Sequence, residues 1–183
     1  MQNEILIRLV QEYQQDIYRF CLQLTQNKIE AEDLFQDAFL KAVQLRHKLD
    51  DGGIQSQEIM RKNRNYVMGI AANLWKNKYR VEQRRKQLIP QCSYEEQLTE
   101  PRSEENLEKD IIKQEAIACM RSLEAQLPKK YQIVISMFYT AQMSVEEIAH
   151  VLHIPKGTVK SRLHNARNQL RNGMEAEGYE IEF

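Results

Sequence analysis

The chain has 183 residues, a length that suits one long domain or two short ones. Hydrophobic residues make up 42% and charged residues 28%, which excludes an extended disordered chain, and no apolar run approaches the about 18 residues of a membrane span. The formal net charge is zero, which taken as an average excludes a polyanionic partner, but the charges are unevenly spread.

Only 6 Gly and 4 Pro interrupt the chain, so long helices with few turns are expected rather than many short strands, in an all-α fold. A first helix is marked by Leu6, Leu9, Val10, Tyr13, Ile17, Phe20, Cys21 and Leu24 at helical spacing. A second sets Ala31, Leu34, Phe35, Ala38, Phe39 and Ala42 on one side, with Asp33, Gln36, Asp37, Leu40 and Gln44 opposite. Residues 50–53 read as a loop. A third helix is predicted over 65–87, where Val67, Ile70, Ala71 and Leu74 form an apolar stripe that Met68, Ala72, Trp75 and Tyr79 widen. Residues 90–101 carry turn residues and acidic charge with little periodic hydrophobicity, and read as an interdomain linker.

Beyond it, Ile112, Ala116, Cys119, Met120, Leu123 and Leu127 make another stripe. Pro128 is predicted as the first residue of the next helix, where the missing N–H has no intrahelical partner anyway. Tyr131, Val134, Ile135 and Phe138 are its expected buried face. Ser144 and Glu147 have the spacing of a capping box, opening a short helix that buries Val145, Ile148, Ala149 and Leu152. Residues 153–157 form a turn, and a last helix starts near Thr158 with Val159, Leu163, Ala166 and Leu170 inward. At about 100° per residue this points Ser161, His164, Asn165 and Asn168 outward, flanked by Lys160 and Arg167. By spacing alone this pair is a helix-turn-helix, whose second helix enters the major groove of DNA.

The charge follows the same division. Residues 60–90 are net +8 and residues 153–173 carry five basic groups and no acid, while residues 91–115 are net −5 and the last ten residues net −4. Two basic islands insulated by acidic segments suggest two spaced contacts with nucleic acid phosphates. Cys21, Cys92 and Cys119 are odd in number and far apart, with no His at zinc-ligand spacing, so they read as packing or loop thiols. No carboxylate cluster, phosphate loop or His–nucleophile pair points to an enzyme.

The stretch from Leu127 to Met174, above all Ser144-Val145-Glu146-Glu147-Ile148-Ala149 and Ile154-Pro155-Lys156-Gly157-Thr158-Val159-Lys160-Ser161-Arg162-Leu163-His164-Asn165-Ala166-Arg167, resembles region 4 of bacterial extracytoplasmic-function (ECF) sigma factors. Residues 30–42 resemble region 2 of that family, and Tyr66 to Leu74 its promoter-melting segment. The resemblance implies two small helical domains, region 2 over residues 1–89 and region 4 over 109–183, joined by an acidic linker at 90–108. It implies a non-catalytic, cytoplasmic subunit without cofactor or metal, whose partners are the core RNA polymerase, promoter DNA and an anti-sigma factor.

On this reading the −35 element is met by Lys160, Ser161, His164 and Asn165, with Lys156, Thr158, Arg162, Arg167 and Arg171 around them. The single-stranded −10 element needs cations and a receptive polar group, supplied by Arg61, Arg64, Asn73, Lys76, Asn77, Lys78, Arg80, Arg84 and Arg85. Asp33, Gln36, Asp37 and Leu40 face the core enzyme. Three departures stand out: a longer segment around residues 49–64, His153 where glycine is common, and the bulk of Trp75 and Tyr79, of which Trp75 is read as core packing. The alternative function is a dimeric helix-turn-helix regulator.

Overall fold

The computed structural model describes residues 2–50, 56–88 and 107–179, and among these there is no β-strand. The described residues form seven α-helices in order: α1 (Gln2–Thr25), α2 (Lys28–Gln44), α3 (Gln57–Leu88), α4 (Leu107–Gln126), α5 (Lys129–Ile135), α6 (Val145–Leu152) and α7 (Lys156–Ala176). A 3-10 turn (Arg46–Lys48) follows α2, and α5 runs into a π turn (Ser136–Thr140).

Helices α1, α2 and α3 pack on one another. Left-handed Gln26 (φ 52°) reverses the chain, and Asn27 then caps α2, its Oδ1 accepting from the Glu30 N–H at 3.1 Å. The small residues Ala31, Ala38 and Ala42 of α2 are fully buried with Ile5, Leu9, Ile17 and Phe20 of α1 and Val67, Met68 and Ala71 of α3. Each large side chain among them gains about 1.5–3 kcal/mol from leaving water. Ile5, outside the predicted stripe, is fully buried, whereas Val10, a member of it, is 39% exposed.

Helix α3 begins at Gln57, eight residues before its predicted start. Its first turns bury Met60, Asn63 and Arg64. The Asn63 amide exchanges two 2.9 Å hydrogen bonds with the backbone of Asp50, tying α3 to the end of the preceding connection. Much of the unusually long segment around 49–64 is therefore helix; residues 51–55 lie outside the described residues, as does Cys92.

In the second half Pro128 is the cap before α5 rather than its first residue. The buried Gln132 donates to the carbonyls of Ala125 and Leu127, both at 2.8 Å, satisfying acceptors at the end of α4. The predicted inner face of α5 is only partly found: Val134 and Ile135 are buried with Ile133, whereas Tyr131 and Phe138 are half-buried. Covered by α7, with the π turn lying against α1, this segment has no single inner face. At Ser144 the capping box is complete, with Glu147 N–H donating to Ser144 Oγ at 3.2 Å and Ser144 N–H to Glu147 Oε2 at 2.8 Å. His153 ends α6 in the left-handed conformation (φ 52°, ψ 46°). Helix α7 starts at Lys156, so Lys156 and Gly157 belong to its first turn rather than to the connection, and Val159, Leu163, Ala166, Leu170 and Met174 are buried.

Candidate nucleic-acid interface

Because Val159, Leu163 and Ala166 hold one side of α7 in the core, Lys160, Ser161, His164 and Asn165 stand exposed together on the other. Lys156 is exposed and pairs with Glu146 at 3.0 Å, while Thr158, Arg162, Arg167 and Arg171 are partly covered. Ser161 Oγ donates to the Thr158 carbonyl at 3.0 Å, and His164 and Asn168 meet at 3.0 Å. Two tyrosines that periodicity assigned to packing or left unassigned join this face. The Tyr139 hydroxyl accepts from Arg167 Nε at 2.9 Å, and the Arg167 guanidinium lies 5.4 Å and 5.5 Å from the ring centres of Phe138 and Tyr139. Asn165 Nδ2 is 3.5 Å from the Tyr131 hydroxyl. A basic helix beside two phenols was the available signal.

On α3, Asn73, Lys76, Asn77, Lys78, Arg80, Arg84 and Arg85 are all exposed. Lys78 lies 3.6 Å from Glu30 of α2. Arg61 and Arg64 depart from this group. Arg61 pairs with Glu147 of α6 at 2.7 Å. Arg64, expected on the surface, is 8% exposed: it donates to the Ala141 carbonyl at 2.9 Å, approaches Asp16 at 3.6 Å and lies over the Tyr13 ring. Burial lowers its pKa, opposed by Asp16. Trp75 is buried, in keeping with packing, and Lys129 Nζ of α5 sits 4.5 Å from the ring centres of both Trp75 and Tyr79. Burial lowers the Lys129 pKa in turn. For Glu147, burial alone would raise the carboxyl, but bonds from Arg61 and Ser144 hold it below the usual range.

A third surface is the outward side of α2. Asp33, Gln36, Asp37 and Leu40 are exposed, Leu40 by 62%. Ile29, 68% exposed, and Val43 fall on the same side and extend the apolar contribution beyond what the sequence reading named. Among the described residues no cluster of three metal-ligating side chains is present, and no helix is long and apolar enough to cross a membrane.

Arg171 apart, these surfaces fall within two matched family models: Sigma-70 region 2 over residues 9–85 and Sigma-70 region 4 over residues 117–170. The chain is 32% identical to the ECF RNA polymerase sigma factor SigW of Bacillus subtilis, covering 89% of this chain and 85% of SigW. It is 23% identical to SigM of the same organism, over 89% and 91%. Its fold is that of a Bartonella quintana sigma factor, RpoE, solved with the anti-sigma factor NepR, with a TM-score of 0.69 at 20% identity, over 92% of this chain and 95% of that one. Both halves being matched in order, the dimeric regulator is not favoured. The chain belongs to the ECF RNA polymerase sigma factors, the subunits that direct RNA polymerase to promoters.

Proposed function

We propose that this sigma factor divides its work among the three surfaces. Lys160, Ser161, His164 and Asn165 read the −35 element, with Lys156, Thr158, Arg162, Arg167 and Arg171 around them toward the backbone. Asn73, Asn77 and the cations of α3, Arg61, Arg64, Lys76, Lys78, Arg80, Arg84 and Arg85, hold the melted −10 strand. Asp33, Gln36, Asp37 and Leu40 meet the core enzyme. Region 2 is assigned to residues 1–89 and region 4 to 109–183, with 90–108 as the connection between them.

The observation that carries this reading is the exposed polar quartet in the first turns of α7, behind a helix whose capping box sets its entry. That part of a recognition helix reaches base edges, and its helix N-terminus favours a nearby phosphate. The protein is proposed to act in the cytoplasm, where core polymerase is found, without cofactor or catalytic group of its own. An anti-sigma factor is proposed as a further partner, as for the structural neighbour.

Run-off transcription with purified bacterial core polymerase, followed by start-site mapping, tests the whole reading. Promoter-dependent transcripts that require this chain support it; a chain that never supports initiation but binds a palindrome as a stable dimer overturns it.

A further inference from the structure

Two phenol hydroxyls of the segment that runs from α5 into the π turn end on the outer side of α7. One is that of Tyr139, which accepts from Arg167. The other belongs to Tyr131, in the first turn of α5, and lies 3.5 Å from Asn165 Nδ2. The Tyr131 ring is anchored: half-buried, it packs on the hydrophobic core, and Lys130 Nζ stands 5.1 Å from its centre. Both helices are anchored too. Ile133, Val134 and Ile135 of α5 and Val159, Leu163 and Ala166 of α7 are buried, and the two helices pack on each other. Core packing therefore sets how far the hydroxyl stands from the Asn165 backbone, and the turn of the amide is what remains to be fixed.

That turn matters because the last torsion of an asparagine is broad, so an exposed amide plane rotates readily. The amide carries two N–H donors and one carbonyl acceptor. Bidentate pairing with adenine uses the carbonyl oxygen, toward the N6 amino group, and one N–H, toward N7. The second N–H is spare. A phenol oxygen that accepts it holds the plane while leaving both groups the base needs. The polar neighbours of Asn165 on α7 are engaged elsewhere: Ser161 donates to the Thr158 carbonyl, and Asn168 meets His164. At 3.5 Å the bond is long, so it orients the amide more than it stabilises the fold.

We propose that Tyr131 is a specificity-determining positioning residue of the −35 reader: it touches no base, and it sets the plane of the Asn165 amide so that adenine is preferred opposite it. The inference rests on reading α7 as the −35 helix with Asn165 among its base contacts. It gives the hydroxyl of Tyr131 a task that its ring, placed for packing, does not explain. The hydroxyl acts on sequence preference only through Asn165, and this is what separates it from a residue that merely holds α5 in place.

The test compares the full-length wild type with Tyr131→Phe, Asn165→Ala and the double variant, each assembled with purified core polymerase on promoters randomised in the −35 element. Transcript yield gives the base preference at every position, and thermal melting of each free variant gives its stability. Tyr131→Phe keeps the ring, its packing and its contact with Lys130, and removes only the hydroxyl. It should reduce the preference for adenine at the position that Asn165→Ala flattens, by about two- to tenfold, the range of one hydrogen bond. Preference at the other positions should stay as in the wild type, and the melting temperature should stay within about 2 °C. The double variant should match Asn165→Ala. If Asn165→Ala flattens a position and Tyr131→Phe leaves it intact, the hydroxyl does not orient the amide and the proposal fails. It fails equally if Tyr131→Phe lowers the yield of all sequences alike together with the melting temperature, the signature of packing. A double variant less selective than Asn165→Ala would mean that the hydroxyl meets the DNA itself, against the role assigned. If Asn165→Ala changes no preference, it is the −35 assignment of Asn165 that fails, and the positioning role falls with it.

Discussion

Arg167 and Tyr139 form a joint unit at the edge of the recognition helix: the arginine donates from Nε to the phenol oxygen at 2.9 Å and stacks its guanidinium near the same ring. The hydrogen bond leaves the terminal nitrogens of Arg167 available to a phosphate while restricting the rotamers of a long side chain, which lowers the entropy lost on binding. Tyr139→Phe keeps the ring and removes the acceptor. Promoter binding by the holoenzyme should weaken by about two- to tenfold, the range of one lost hydrogen bond, with the salt dependence unchanged. Arg167→Ala should instead reduce the salt slope by about one. Equal salt slopes for the two variants would show that Arg167 meets no phosphate.

Asn165 and Arg171 should separate base reading from backbone contact. Asn165 is exposed in the third turn of α7 and Arg171 lies half-buried toward its other end. An asparagine can pair bidentately with adenine, a contact worth about 1–3 kcal/mol of discrimination. Asn165→Ala should lower transcription from the cognate promoter and flatten preference at one or two −35 positions. Arg171→Ala should weaken all sequences alike. Randomised −35 libraries scored by transcript yield check this; a silent Asn165 with Arg171 shifting base preference would mean the helix is rotated from the orientation assigned here.

Leu40 is 62% exposed on α2, one turn beyond Asp37, where folding leaves its side chain in water. An apolar side chain so placed is a natural interface anchor. Leu40→Ala should reduce co-purification with core polymerase by roughly tenfold, the effect of about 1.4 kcal/mol, and leave the melting temperature within about 1 °C. Ile29→Ala, on the same face, should act in the same direction. Undiminished co-purification for Leu40→Ala and Asp37→Ala would remove α2 from the polymerase interface.

His153 holds a left-handed backbone at the end of α6, a conformation that costs a non-glycine residue about 1–2 kcal/mol. A β-branched residue tolerates it worse than histidine. His153→Val should therefore lower the melting temperature by about 2–4 °C per kcal/mol lost in a chain of this length, whereas His153→Gly should match or slightly exceed the wild type. Differential scanning calorimetry distinguishes them; a valine variant as stable as the glycine variant would mean the turn relaxes out of the left-handed region.

Two glutamates should give opposite pH signatures. The Glu147 carboxyl is held below its usual range by Arg61 and Ser144 against the effect of burial, so its contribution is present above the unfolded value and lost as the pH falls through the depressed one. For Glu124 burial dominates and raises the carboxyl, despite the Gln23 amide at 2.5 Å and nearby Arg121; its contribution is present below the unfolded value and lost as the pH rises through the raised one. At pH 7 Glu147→Gln should lower the melting temperature by about 2–4 °C, roughly 1 kcal/mol, and Glu124→Gln should raise it. Melting curves from pH 4 to 8 check both signs; two variants moving in the same direction would contradict one of the environments described.

What could be read from the chain alone is what depends on neighbours three or four residues away. The Ser144–Glu147 box, the inward stripe Val159–Leu163–Ala166–Leu170 and hence the outward quartet of α7 are set by a 3.6-residue period and a reciprocal cap. The acidic face of α2 around Leu40 follows in the same way. The start of α3 was hidden because, beside Met60, its inner positions Asn63 and Arg64 are polar: no apolar stripe announces a helix whose first turns are buried largely through hydrogen bonds to Asp50, Ala141 and Asn65. The π turn after α5 was likewise settled by packing against α1. Above all, Arg61 and Glu147 are 86 residues apart, and nothing local to either says that they will meet. Charge on a side chain is a property of the sequence; whether that charge faces water, a phosphate or a carboxylate from the other half of the chain is decided only when the helices pack, because desolvation and Coulomb attraction depend on distance in space rather than along the chain.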